Sequence, residues 1–344
     1  MLLELFIASM VAFFSTLLVG LFLRNILYSA GLFARDINKR NKPLLPTSGG
    51  IAVAAGFFIG MMAFVFSYNF IVSSGVNLLI LLTVLLSTLS VTFVGLLDDL
   101  LGGRVRLSSS IKGIGNYVRA NGGLKQWQKP LLTLVAAIPV MAIHFGPPAV
   151  TLPLVGTIFF GQIIYTFIVI PIAMIFSSNV FNMLEGLNGL SLQMSLVAFI
   201  AILIFAYHTG DVNAIVLSSI FISTLVAYLY FGAYPAKFLP GDSLTYFIGA
   251  GFASLAIMTN IKAFALVLII PWIAEFFLKA RAHFHAHSWG IIQRDGTLKS
   301  LYGNRVYSLT HLFLRTGKFK EWQIVLFFTL IEVFFSALAL ALFW

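Results

Sequence analysis

Only 11 of the 344 residues are acidic, so each carboxylate carries information about chemistry. Asp98 and Asp99 adjoin at the end of a 20-residue apolar run, with no Lys or Arg beside them. Neighbouring carboxylates repel one another and lose solvation when buried, so the pair needs a cation, bound water or exposure to persist. A solvated helix end is the plain alternative, although acids at a membrane edge are costly and commonly functional. A second cluster, Asn179, Asn182, Glu185 and Asn188, falls within ten residues that hold no Lys or Arg. Asn179 and Asn182 are spaced to share a helix face. Amide and carboxylate oxygens are hard donors of the kind Mg²⁺ takes, with water completing the shell. Glu-Gly and Asn-Gly are also ordinary turn chemistry. A third site is Asp242, directly after Pro240 and Gly241. The Pro-Gly step enforces a turn, and an acid there suits either a helix N-cap at the positive end of the dipole or a rigidly held anionic metal ligand.

The elements that must position these groups are membrane helices. Sixty per cent of the chain is hydrophobic, 9% is charged, and the mean hydropathy is +1.01. A soluble domain carries roughly 25% charged residues, so soluble and disordered classes are excluded. The apolar runs are continuous rather than alternating, which argues against an outer-membrane barrel. There is no cysteine, hence no disulfide and no thiolate metal site. The first segment lacks a basic flank and a small-residue cleavage site, and reads as a membrane helix rather than a leader. The expected fold is an all-α polytopic membrane protein with about ten transmembrane helices. They run over 3–23, 51–72, 77–97, 130–146, 160–178, 190–207, 214–232, 244–260, 263–278 and 323–343. The divisions at His208–Asn213 and Asn260–Lys262 rest on the only polar clusters in runs too long for one helix. Pro139 is expected to kink the fourth helix, and Pro171 lies inside the fifth. The whole of 1–344 reads as one integral membrane domain, with 279–322 a cytoplasmic loop subdomain within it.

With these ten helices, 20 of the 21 Lys and Arg fall in alternate loops and only Lys262 lies on the opposite side. The positive-inside rule makes the basic side cytoplasmic and places both termini outside. All the acids singled out above fall on that cytoplasmic side, as does Asp36. The outer loop 147–160 reads as a small hairpin, and Ile291–Leu298, with its Asp295-Gly296 turn, as a hairpin in the last cytoplasmic loop. Gly56 and Gly60 form a helix-packing motif.

Taken in order, Asp98-Asp99, Asn179-x-x-Asn182-x-x-x-Gly186-x-Asn188-Gly189 and Phe238-Leu239-Pro240-Gly241-Asp242, followed by a basic loop after the ninth helix, resemble the polyprenyl-phosphate N-acetylhexosamine-1-phosphate transferase superfamily. Asp36-Ile37-Asn38-Lys39 through Gly50 is similar to the first cytoplasmic loop of these enzymes. Asn188-Gly189, Tyr234-Pro235 and Asp36-Ile37-Asn38-Lys39 resemble the archaeal and eukaryotic branch, the UDP-GlcNAc:dolichyl-phosphate GlcNAc-1-phosphate transferases. Two features depart from it. Arg281-Ala282-His283-Phe284-His285-Ala286-His287 stands between the Arg-rich eukaryotic loop and the His cluster of bacterial relatives. Glu185 replaces the small residue of the eukaryotic enzymes or the Asp of the bacterial muramoyl enzymes.

The resemblance implies transfer of a sugar-1-phosphate from a UDP-sugar to a polyprenyl or dolichyl phosphate, releasing UMP. It also implies a place at the first step of lipid-linked oligosaccharide assembly for N-glycosylation, in the plasma membrane with a cytoplasmic active site. It implies Mg²⁺, with Mn²⁺ as a substitute, held by Asp242 and Asn182. Asp98, Asp99 and Lys129 become the catalytic candidates. Asp98 would orient or deprotonate the lipid phosphate, or form a covalent aspartyl-phosphate, and Lys129 would pair with that phosphate unless it only anchors a helix at the interface. Asn179, Glu185, Asn188, Gly189, Asp36, Lys42, Arg281, His283, His285 and His287 become substrate-binding candidates. The His-x-His-x-His spacing also suits zinc, but no acid or cysteine lies near it. The expected partners are the UDP-sugar, the lipid phosphate and membrane lipids, with no nucleic acid, and a homodimer is left open. The competing readings are a bacterial-type phospho-MurNAc-pentapeptide or undecaprenyl-phosphate transferase, a secondary transporter, and a non-catalytic scaffold.

Overall fold

The computed structural model describes residues 2–71, 75–102, 123–143, 146–152 and 155–344, without the side chains of 69–71. Arg104, Arg106, Lys112 and Arg119 of the second basic loop, and Pro153 and Leu154 of the outer hairpin, lie outside the described residues. All ten expected apolar segments contain helix. They are α1 (Leu2–Ser29), α2 (Gly50–Ile71), α3 (Leu78–Gly102), α4 (Gln128–Thr133) with α5 (Ala137–Ile143), α6 (Gln162–Ile164) with α7 (Ile170–Leu184), α8 (Leu190–Thr209), α9 (Val212–Gly232), α10 (Gly241–Met258), α11 (Lys262–Leu268) with α12 (Ile270–Ala280), and, after the short α13 (His311–Leu314), α14 (Glu321–Phe343). Among the described residues seven are long and apolar enough to cross a membrane, eight if the bent pair α11–α12 counts as one. A first turn holding Asp242, Ser243 and Thr245 lowers the hydropathy of α10, yet every residue from Ser243 to Met258 is buried, so α10 is the central post of the bundle.

Prolines explain where the helices depart from regularity. Pro139 has no N–H to offer the Val135 carbonyl. The chain tightens to a 3₁₀ turn at Leu134–Ala136, so the irregularity sits one turn before the residue expected to cause it. Pro171 likewise follows a π-helical turn at Tyr165–Val169, which takes up the unserved carbonyl. The single ninth helix of the sequence reading is instead broken at Ile269, just before Pro271, and α11 and α12 meet at 58°. The other divisions stand where polar residues end a run. Gly210 terminates α8, and the Asp211 carboxylate accepts the Ala214 N–H at 2.9 Å to start α9.

In lipid there is no aqueous hydrophobic drive between helices, so close packing must hold them. The α1–α2 contact passes through Gly56 and Gly60, which lie against Thr16 and Ala12. The centre is filled by stacked rings: Phe57 on Phe221 at 4.2 Å, Phe199 on Phe221 at 4.6 Å and Phe181 on Trp272 at 4.3 Å between centroids.

Among the described residues three two-stranded hairpins decorate the bundle. The one expected on the outer side pairs β3 (Ala149–Leu152) with β4 (Gly156–Phe159), and Thr151 faces Thr157. In the last loop β5 (Ile291–Ile292) pairs with β6 (Leu298–Lys299), and Asp295 accepts the Thr297 N–H and hydroxyl across the turn. The third, β1 (Phe33–Arg35) with β2 (Leu44–Pro46), was not expected, because neither strand alternates in polarity and the turn is a run of Lys, Arg and Asn. The last loop is tied down by Glu275 of α12, fully buried, which accepts the Leu309 N–H at 2.6 Å and the Ser308 hydroxyl at 3.1 Å.

Candidate active site

Four helices bring the scarce acids together. Gly95 of α3 lets the first turn of α10 lie directly against it: a Cβ there would fall 2.6 Å from the Asp242 carbonyl group. Asp98 and Asp99 follow one turn later. Asp99 turns toward α10 and accepts the N–H groups of Asp242 at 2.8 Å and Ser243 at 3.3 Å. Gly241, at φ +68°, presses so closely on this carboxylate that a Cβ would lie 2.3 Å from Oδ2. Asp99 therefore caps α10, supplying the anion that the positive helix end favours. This corrects one expectation. Asp242 does not cap its own helix. It sits one residue inside the first turn, with its side chain left for other work.

Asp98 is buried and faces the other way. Its Oδ1 accepts the Leu124 N–H at 2.8 Å, and its Oδ2 lies 2.6 Å from the Lys129 ammonium. Lys129 also reaches Asp242 Oδ2 at 2.7 Å, so one cation bridges two carboxylates from α3 and α10. From α7 the Asn182 side chain interacts with both Asp242 and Tyr246. About a quarter of the Asp242 side chain, 24%, is open to solvent, against 4% for Asp98. The arrangement is one anchored carboxylate, one accessible carboxylate, an ammonium between them and an amide alongside.

A second knot lies on the same side of the bundle. Asn188 gives its backbone N–H to Glu321 Oε1 at 2.7 Å and its side-chain N–H to Asp36 Oδ2 at 2.8 Å. Lys39 pairs with Asp36 at 3.2 Å and with Glu321, and its ammonium lies 4.4 Å from the Tyr234 ring centre. Asn38 donates to the Gly186 carbonyl at 2.8 Å. The first loop, the Glu185–Gly189 turn and the start of α14 are thus fastened as a unit.

The remaining candidates do other things. Asn179 spends its amide N–H groups on Thr133 and the Ile175 carbonyl, holding α7 to α4. Glu185 accepts the Ser191 N–H at 3.1 Å and so caps α8. Burial pushes its carboxyl up to about 7, opposed by the Ser191 bonds and reinforced by Glu321 nearby. Gly189, at φ +83°, makes the entry to α8. Lys42 is exposed in the β1–β2 turn. Arg281, His283 and His285 are exposed after α12, and among the described residues no hydrogen bond or ion pair joins them to the Lys129 cluster. His287 stacks on Trp289 at 3.9 Å, and its carbonyl meets the ring of His311 at 2.8 Å. The three histidines do not converge, and among the described residues no group of three His, Cys, Asp or Glu forms a metal cage. Lys39, Asn38, Glu321 and Tyr246 were missed. Asn38 and Lys39 lie in a motif that carries the resemblance, but Lys39 and Glu321 are 282 positions apart, each amid other charges, so nothing local pairs them.

Comparison with known proteins points to a family. The family model described as glycosyl transferase family 4 matches residues 81–260, which span Asp98, Lys129, Asn182 and Asp242. A protein of Saccharolobus solfataricus, by name a UDP-N-acetylglucosamine–dolichyl-phosphate N-acetylglucosaminephosphotransferase, is 34% identical over 90% of this chain and 87% of its own. A protein of the same name from Sulfolobus acidocaldarius is 34% identical over 98% and 96%. A phospho-N-acetylmuramoyl-pentapeptide-transferase of Shouchella clausii is more distant, at 27% identity over 85% and 81%. A matched region covering more than half of the chain and the four clustered residues together place this membrane protein in glycosyl transferase family 4.

Proposed function

We infer that the protein transfers N-acetylglucosamine-1-phosphate from UDP-GlcNAc to dolichyl or a similar polyprenyl phosphate. An oxygen of the lipid phosphate attacks the sugar-bearing phosphorus, the bridging P–O bond to the uridine side breaks, and UMP departs. The observation that carries this reading is the Asp98–Lys129–Asp242 bridge, set beside 34% identity along nearly the whole chain to two archaeal proteins of that name. The bacterial muramoyl reading is less well supported, since identity falls to 27%.

Three anionic groups meet in this reaction, so cationic help is required. Lys129 supplies one charge. When an acceptor phosphate arrives, the ammonium is already positioned by two carboxylates and need not be ordered anew. Lipid monophosphates lose their second proton near about pH 6. At neutral pH Asp98 therefore acts by fixing Lys129 and the acceptor rather than by removing a proton. Asp99 is committed to the α10 cap, which leaves it a positioning residue.

Asp242 and Asn182 suit a divalent cation. They offer one accessible carboxylate and one amide, both oxygen donors, and Mg²⁺ commonly takes one or two carboxylates with water and substrate phosphates completing its shell. Bound there, the ion would neutralise charge developing on the departing phosphate. Asn188, Asp36 and Lys39 would define the wall against which the donor's uridine rests. The Lys and Arg asymmetry supports ten crossings with the site on the cytoplasmic face and both termini outside, and the membrane we assign is the plasma membrane.

The test is a donor panel on purified protein with a short polyprenyl phosphate, with and without EDTA. UMP release with UDP-GlcNAc, lost on chelation and restored by Mg²⁺ or Mn²⁺, is expected. Release only with UDP-MurNAc-pentapeptide would replace the sugar assignment, and release with no UDP-sugar would end the enzyme reading.

A further inference from the structure

An open cleft of about 340 Å³, apart from the Lys129 cluster, is lined by Arg24, Asn25, Tyr28, Pro46 and Lys237. It lies where the end of α1 meets β2 and the loop between α9 and α10. Two of its five residues are cations and none is an acid. Among the described residues neither Arg24 nor Lys237 has an ion-pair partner. Lys237 is held over the Tyr230 ring at 3.7 Å, which fixes its ammonium without neutralising it.

What enters the cleft can be read from α1. Phe14, Leu18, Leu21, Asn25 and Tyr28 recur at intervals of four, three, four and three, so they form one stripe along the helix. Phe14, Leu18 and Leu21 are large, apolar and exposed, Leu18 at 67%. An apolar stripe that ends in two unpaired cations, an amide and a phenol matches one kind of molecule: acyl chains below, a phosphate above. We propose that this cleft binds the headgroup phosphate of an anionic membrane phospholipid, with its chains lying along Phe14, Leu18 and Leu21.

The cleft is also wired to the reaction centre. The Pro46 carbonyl in its wall accepts the Leu239 N–H at 2.8 Å, and the carbonyls of Leu239 and Pro240 in turn accept the N–H groups of Gly49 and Gly50. Lys237 and Leu239 belong to the same short loop that delivers Asp242. A lipid bridging Arg24 and Lys237 would brace that loop, so anionic lipid should raise turnover as well as bind.

The experiment uses the full chain in phosphatidylcholine nanodiscs containing a trace of spin-labelled phosphatidylglycerol, and reads the immobilised fraction. Wild type should retain the label, and unlabelled phosphatidylglycerol should displace it. The R24Q/K237Q protein should need about tenfold more phosphatidylglycerol, or more, for the same occupancy. N25D, which places an anion in an exposed position, should weaken retention in the same sense and serves if the double variant does not fold. Turnover in neutral detergent, unchanged in the variants, shows that they are folded. In nanodiscs, phosphatidylglycerol should stimulate wild type and not R24Q/K237Q. Equal retention by wild type and both variants would overturn the proposal. So would displacement of the label by millimolar inorganic phosphate, meaning a free-anion site, or by polyprenyl phosphate at catalytic concentrations, meaning an acceptor site.

Discussion

Two lysines in this protein each sit between two carboxylates with an asparagine alongside, and they serve different ends. Lys129 bridges Asp98 and Asp242 beside Asn182. Lys39 bridges Asp36 and Glu321 beside Asn188. In composition the two knots are almost the same. They differ in what remains uncommitted. The Asp36 and Glu321 side chains are each 3% exposed, and Asp36 Oδ2 and both Glu321 oxygens are engaged by Asn188 and Lys39. Asp242 is 24% exposed, its backbone is fixed by Asp99, and its carboxylate meets the Lys129 ammonium, the Asn182 amide and the Asp98 carboxyl while keeping an open face. A saturated knot ties loops together; one with an open face can exchange partners with phosphate or a cation. The difference between the scaffold and the proposed active site lies in this spare capacity rather than in residue type.

Substitutions can break the comparison. The largest effect is expected at Asp242→Asn, which should lower UMP release by roughly a thousandfold while leaving the unfolding temperature near wild type. Next, Lys129→Met should cost roughly a hundredfold or more in turnover and less stability than Lys39→Met, because Asp242, unlike Asp36 or Glu321, stays open to water or a cation. Lys39→Met should invert that pattern. Two buried carboxylates would face each other without compensation, a loss on the order of 3–5 kcal/mol in a denaturation measurement. If Lys39→Met were as stable as wild type, or Lys129→Met were the less stable of the two, the distinction between the knots would fail.

A smaller effect sharpens the boundary between them. Burial raises Glu185 from 4.5 to about 7, so between those values the folded protein holds a proton that the unfolded chain has released. Its contribution to stability is therefore full below about pH 4.5 and is lost as pH rises toward 7. Glu185→Gln keeps an acceptor for the Ser191 N–H and should flatten the pH dependence of unfolding in that window, by on the order of 1–3 kcal/mol. An unchanged pH profile would place Glu185 in contact with solvent or substrate instead.

The open knot was legible in the sequence, while of the closed one only Asp36 and Asn188 stood out as candidates and the Lys39–Glu321 pairing did not, for a physical reason. In a chain with 11 acids, Asp98-Asp99 and Pro240-Gly241-Asp242 stand out as carboxylates at the ends of apolar helices, where an ion without a purpose is costly. Lys39 and Glu321 lie in polar loops rich in charge, where a buried pair looks like any solvated one. The apolar segments were legible for the same reason as the acids, since the bilayer demands long runs. The distribution of work within a motif was not. Which of Asp99 and Asp242 caps α10 depends on the close approach of two helices at Gly95 and Gly241, a fact of packing. The 58° break between α11 and α12 and the β1–β2 hairpin depend on tertiary partners in the same way.

We propose that the Asp98–Lys129–Asp242 bridge is where sugar-phosphate transfer occurs. Its most direct test is UMP release from UDP-GlcNAc in the presence of polyprenyl phosphate and Mg²⁺, comparing wild type with Asp242→Asn at matched unfolding temperatures. The account predicts release falling to near background in the variant. Wild-type release from a folded Asp242→Asn protein would contradict it.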